Sequence, residues 1–198
     1  MEQLIPQDKT NAPKILESQI RECFGRVVYS HKTHEKCADQ CLTKLSRIKI
    51  AQIVLSAVTT GGLIATIFGS PTVSRISAIL SAIFSTALLA LNTYTKDNDP
   101  GQSSQKHKET ADKLWAVRES YLSLLTDIRS GEVSLSQVRD KRDELQITLA
   151  SVYSTAPRTS GKGYSEASKG LKEREELTFS DEEIDKFLPL PLRSKASG

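Results

Sequence analysis

Ile50-Ala-Gln-Ile-Val-Leu-Ser-Ala-Val-Thr-Thr-Gly-Gly-Leu-Ile-Ala-Thr-Ile-Phe68 runs for about 19 residues without a charge, roughly what one bilayer crossing requires. Gly69-Ser70-Pro71 interrupts it, and Ile76-Ser-Ala-Ile-Leu-Ser-Ala-Ile-Phe-Ser-Thr-Ala-Leu-Leu-Ala-Leu-Asn-Thr-Tyr94 is a second uncharged run of similar length. At 1.5 Å per residue each run extends roughly 28 Å, close to the hydrocarbon thickness of a membrane. A soluble bundle seldom contains two consecutive helices that are apolar all round, so the pattern predicts an all-α chain built on an integral membrane helical hairpin.

The flanks orient that hairpin. Lys44, Arg47 and Lys49 precede the first span and Lys96 follows the second, whereas the turn offers only Arg75. A turn this short forces the spans antiparallel, and the bias of basic residues toward the inner side then places both termini in the cytoplasm, in the inner membrane. The four outer basic residues stand where anionic lipid headgroups lie, so membrane lipid is an expected partner. Tyr94 sits where an interfacial aromatic belongs.

Hydroxyl and small side chains are frequent inside the spans. Gln52, Ser56 and Thr60 are four apart on the first helix, and Ser77, Ser81 and Ser85 are four apart on the second. Such spacing lays each set along one face. Two readings stand side by side: these faces line a water-filled pore in a homo-oligomer, or they let helices pack closely and bond across. Gly61, Ala65 and Gly69 form a small-residue ladder suited to close packing in the membrane.

The average composition of the 198 residues, with 26% charged side chains, would by itself suggest a soluble helical protein. The averages mislead because the apolar residues are gathered into one block. A net charge of +3 and 6% aromatic residues supply neither the field nor the stacking surface of a nucleic-acid binder, so no direct nucleic-acid binding is expected. The N-terminal stretch has no apolar h-region, which argues against a cleaved signal peptide. Cys23, Cys37 and Cys41 all precede the apolar block and fit reduced thiols better than a disulfide framework.

Outward from the spans, the chain divides into an N-terminal segment (1–13), a long juxtamembrane helix (14–49), spans at 50–68 and 76–95 around a turn at 69–75, a polar linker (96–108), a helical hairpin (109–156) and a tail with short helices (157–198). Leu114, Val117, Tyr121, Leu124, Leu125 and Ile128 recur at helical spacing, closed by Ser130-Gly131. Ser134 with Gln137 reads as a capping box opening a helix through Val138, Leu145, Leu149 and Val152, which Pro157 ends. These stripes need a partner, and the 14–49 helix is the nearest. In the tail, 158–163 reads as a loop, Tyr164, Ala167 and Leu171 share one side of a short helix, and Ser180 with Glu183 is a second capping box.

His31, His34, Cys37 and Cys41 invite a metal reading, but on one helix they span about 15 Å, too far for a single ion. The expectation is a packed face and no metal. No phosphate loop, dinucleotide turn or metalloprotease signature is present, and Cys37 with His34 or His31 lacks any oxyanion-binding turn, so neither catalysis nor a cofactor is expected.

Three stretches together resemble the SLATT family, two-transmembrane effector domains of bacterial conflict systems. They are Gly25-Arg-Val-Val-Tyr-Ser-His-Lys-Thr-His34 leading into the paired span, Val54-Leu-Ser-Ala-Val-Thr-Thr-Gly-Gly62 with its short turn, and a C-terminal stretch. That last runs from Tyr164 through Ala167 and Leu171 to Glu176-Leu-Thr-Phe-Ser-Asp-Glu-Glu-Ile-Asp185, Leu188-Pro and Leu192-Arg193. The specificity lies in their order and spacing. The resemblance implies membrane disruption or pore formation triggered by an associated sensor, commonly a nucleotide-signal synthase or nucleotide-binding domain and in some subfamilies a reverse transcriptase, with depolarisation and cell death or arrest as the output. The rival expectation is a membrane-anchored scaffold that recruits a cytoplasmic partner without conducting.

Overall fold

The computed structural model describes residues 11–193, all of whose regular structure is helical. The expectations placed on 1–10, including most of the N-terminal segment, fall outside the described residues.

α1 (Ala12–Phe68) is a single helix of 57 residues that contains both the juxtamembrane segment and the first span. Pro13 stands at its start, where a missing amide costs nothing, and no proline follows until Pro71. Ion pairs one turn apart, Glu17 with Arg21 and Glu22 with Arg26, support the outward face of its first half. Gly25, the one weak helix former there, is passed without a break.

α1 ends at Gly69, and α2 (Pro71–Asp97) begins two residues later with Pro71 in its first turn. The turn is therefore shorter than the 69–75 expected. Proline's fixed φ suits a helix start, so the residue that stops one helix opens the next. Ser74 Oγ donates to the carbonyls of Thr66 (2.7 Å) and Gly69 (3.3 Å), giving partners to acceptors that the end of α1 leaves over.

The linker expected at 96–108 is mostly helix. α3 (Pro100–Ser130) starts at Pro100 because Asp99 caps it, its carboxylate accepting from the amides of Gly101 (2.7 Å) and Gln102 (3.3 Å). An Asp-Pro pair that reads as a loop in a polar stretch is here an N-cap followed by the favoured first residue. α3 ends at Gly131, whose φ of 74° is left-handed, as Ser130-Gly131 suggested.

α2 and α3 run in succession back along α1 in one continuous register. Gln52 meets Asn92, His34 meets His107, and Phe24 lies under Arg118. Away from the spans, α4 (Leu135–Thr155), opened by the expected Ser134–Gln137 capping box, closes the core. That core joins Leu16, Ile20 and Val27 of α1 to Leu114, Val117, Tyr121 and Leu124 of α3 and Val138, Leu145 and Val152 of α4. The amphipathic stripes thus find the partner expected of them.

α5 (Gly161–Lys172) lies on α1 through Gly163 and Ala167, and Gly170 is buried beneath the Glu176 side chain. Of the side expected at Tyr164, Ala167 and Leu171, Ala167 is buried and Leu171 half-buried, while the neighbouring Gly163 and Gly170 are buried in addition because close approach selects the smallest side chains. A Cβ at Gly163 would overlap Cys37 Sγ. Tyr164 remains exposed and stacks on Tyr29, ring centroids 6.0 Å apart. α6 (Asp181–Phe187) carries its capping box at Ser180 and Glu183 but buries no residue of its own.

Candidate functional site: a membrane hairpin with a polar seam

α1 and α2 contain the two helices long and apolar enough to cross a membrane, and in the most apolar stretch of each at most 6% of the residues are buried. Ile53, Ile64, Ile67, Phe68, Ile79, Ile83 and Leu89 all stand more than half exposed, Phe68 at 83%. In water a surface of this size would be a severe liability; in hydrocarbon it is solvated.

The two helices meet along a seam that alternates three- and four-residue steps. On α1 it follows Gln52, Leu55, Thr59, Gly62 and Thr66; on α2 it follows Ser74, Ser77, Ser81, Phe84, Leu88 and Leu91, each at least partly covered. Such alternation keeps a face toward one neighbour, whereas steps of four alone drift by about 40° each time.

The seam sorts the expected site residues. Gln52 Nε2 donates to Asn92 Oδ1 at 2.8 Å, and Ser77 Oγ lies 3.1 Å from Thr66 Oγ1. Ser81, only 4% exposed, directs its hydroxyl at the Thr59 carbonyl at 3.4 Å. Ser56, Thr60 and Ser85 are exposed, and Thr60 Oγ1 donates back to the Ser56 carbonyl at 3.0 Å. Of the small-residue ladder, Ala65 is partly covered and Gly69 sits in the turn against Val73. Gly61 faces open space. Gly62 makes the close approach: a Cβ there would overlap Ser81 Oγ.

Polar contacts continue below the spans. Lys44 Nζ reaches Tyr94 Oη at 3.3 Å and lies 5.4 Å from the ring centroid, pinning the two helices at the expected interface level. Arg47, Lys49 and Lys96 are exposed nearby. Next comes a layer in which His31, Thr33, His34, Ser104, His107 and Thr110 are all buried. Nδ1 of His34 and Nδ1 of His107 are 3.0 Å apart, and Ser104 Oγ donates to the Ala38 carbonyl at 3.0 Å. Two imidazoles at that distance share one proton between them. Burial, with His107 and His31 alongside, holds His34 down to about 4, and burial also lowers His107 and His31. Cys37 is buried and Cys41 half-buried as free thiols, and among the described residues no group of three or more His, Cys, Asp or Glu converges as metal ligands would.

A strap crosses this layer from outside. Glu176 reaches Lys32 Nζ (2.6 Å), Lys36 Nζ (3.0 Å) and Arg174 Nε (3.0 Å). Hydrogen bonds from Lys32 and Lys36 hold its carboxyl down to about 2. Its neighbours Glu175 (φ 52°) and Leu177 (φ 77°) take left-handed conformations that disfavour side chains by roughly 1–3 kcal/mol each, and the ion cluster holds the residue between them.

The family profile described as SMODS and SLOG-associating 2TM effector domain family 4 matches residues 16–183, from the first core residue of α1 into α6. The chain belongs to that family. Comparison with curated proteins and with solved structures gives no match. The match agrees with the resemblance drawn from the sequence. As a 2TM effector domain, the chain carries its two spans on α1 and α2, its extramembrane body on the rest of α1 with α3, α4 and α5, and its role is that of a membrane effector. Thr59, Gly62, Thr66 and Ser74, which make the seam, escaped the reading in steps of four; the three-four alternation in the sequence was the signal. His107 had no signal of its own, since its partner lies 73 positions away.

Proposed function

We propose that this effector domain assembles into a homo-oligomeric pore in the inner membrane, both termini cytoplasmic, and depolarises the cell when an associated sensor is triggered. The observation that carries the reading is the fate of the span hydroxyls. Those of the seam are spent across the hairpin and Thr60 bonds back to its own helix, while the exposed Ser56 and Ser85 hydroxyls have no partner among the described residues. Ser56 and Ser85 each follow a seam position by one residue, and in an antiparallel pair the three-four register sets them, with Thr60, on the same flank. Polar side chains in spans turn toward protein or water rather than lipid. One hairpin cannot enclose a channel, so the flank needs neighbouring copies. The family description names associated SMODS and SLOG domains, which supports a partner that supplies the trigger; nucleotide-signal synthesis, or a reverse transcriptase, is the chemistry expected of it.

The test is ion flux from liposomes containing the inserted protein, with and without that partner or its product. Trigger-dependent flux is expected from the native chain and its loss from Ser56→Leu with Ser85→Leu, the oligomer persisting. Flux unchanged by that double substitution removes the lumen assignment. Liposomes that stay tight under every condition favour the scaffold reading. One observation stands on the scaffold's side: Phe187 is 82% exposed on α6, with Phe179, Leu190 and Leu192 also bare, a surface fit for recruitment.

A further inference from the structure

Below the first span, α1 and the start of α5 form a cleft of about 370 Å³. Lys36, Lys44 and Arg47 line it from α1 and Lys162 lines it from α5, against two carboxylates, Asp39 and Glu166. Volumes of this order accept small ligands.

The charges are not matched internally. Glu166 is engaged by Lys169 (3.4 Å) and Arg174 (3.8 Å), Lys36 by Glu176, and Lys44 by Tyr94. Arg47 and Lys162 come from different helices, face the same cleft, and have no side-chain partner among the described residues. Asp39 is the one carboxylate of the cleft that no cation engages, and Lys44, Arg47 and Lys162 outnumber it, so an anion bound there relieves the excess of positive charge. Lys162 is the second residue of α5, so the positive end of that twelve-residue helix adds to the same field. Gln40, also lining the cleft, leaves its buried Nε2 without a partner, one more donor in reserve.

We propose that this cleft is a binding site for a phosphate group carried by a hydroxyl-bearing ester. Arg47, with its planar fork, would take two phosphate oxygens and Lys162 a third. Asp39, two turns below Arg47, would accept from a hydroxyl of the carrier. Arg47 lies three residues before Ile50, about 4.5 Å of helix rise, so the phosphate sits at headgroup depth if the spans lie in the bilayer as described above. The same chemistry is offered by an anionic phospholipid from the membrane side or by a soluble phosphate ester from the aqueous side.

The full chain in neutral detergent separates the sources. Retention of phosphatidylglycerol over phosphatidylcholine is read by native mass spectrometry, and binding of inorganic pyrophosphate by calorimetry. Arg47→Gln with Lys162→Gln is compared with Lys106→Gln and Lys108→Gln, which remove the same charge from the exposed surface of α3. One saturable site is expected, weakened about tenfold or more by the first pair and unchanged by the second. Retention of the glycerol lipid alone identifies the membrane source, and saturable pyrophosphate binding identifies the soluble one. The pyrophosphate arm does not depend on membrane placement, so a misplaced hairpin and an absent site give different results. Equal losses in both pairs, or no saturable binding of either probe, overturn the proposal.

Discussion

His34 and His107 show what burial does to a side chain whose charge is otherwise available near neutrality. Both rings lie between helices, their Nδ1 atoms 3.0 Å apart, and each is held below its usual range. In the unfolded chain they take up protons near pH 6.5, whereas folded His34 does so only at about 4. The unfolded state therefore binds more protons between those values, and stability falls as the pH drops through that window while remaining intact above it. The unfolding temperature of the purified protein is expected to decline from about pH 6.5 toward 4, and His34→Gln to flatten the decline. An unchanged slope in that variant would show that other groups carry the dependence. At this scale the sequence was partly legible. His31, His34 and Cys37 were recognised as a packed face, but their depth depends on α3 and α5, which only the tertiary fold brings together.

At the scale of helices, the caps were the most legible feature. Ser134 with Gln137, Ser180 with Glu183 and Gly131 all act where local sequence placed them, because capping is a contest among a few neighbouring atoms. The same logic was missed at Asp99-Pro100, where polarity masked a cap. Packing faces were harder. Gly61 and Gly62 are adjacent, and only the alternating register of the seam decides which of them α2 approaches. Gly62→Leu is expected to force the helices apart at Ser81 and destabilise the hairpin by about 1–3 kcal/mol, whereas Gly61→Leu leaves the isolated hairpin near native stability. Thermal unfolding in detergent, run on both variants, checks the contrast. A larger effect at Gly61 would mean that its flank packs against another copy.

For the whole molecule, the two-span architecture was legible because a bilayer imposes a length and an absence of charge that any eye can find in the sequence. The orientation rests on Lys44, Arg47, Lys49 and Lys96 against Arg75, and a substituted cysteine tests it. In intact spheroplasts a membrane-impermeant maleimide is expected to label Ser70→Cys in the turn, and not the native Cys23, Cys37 and Cys41 of the body. Labelling of the turn only after permeabilisation would invert the topology. What the sequence left hidden was the extent of the pairing: α2 and α3 together follow α1 from the turn to Phe24 without losing step.

α1 itself passes from the body into the span with no break over its 57 residues, a rod of about 85 Å. A rod without a joint transmits rotation as well as push and pull. A twist of Lys32, His34 or Lys36 in the body is carried toward Ser56 and Thr60 along one unbroken ladder of helical hydrogen bonds. The azimuth of the membrane faces is thus phased to the body by residue count, and one residue added between Ile48 and Ile50 would turn them by about 100° relative to everything below.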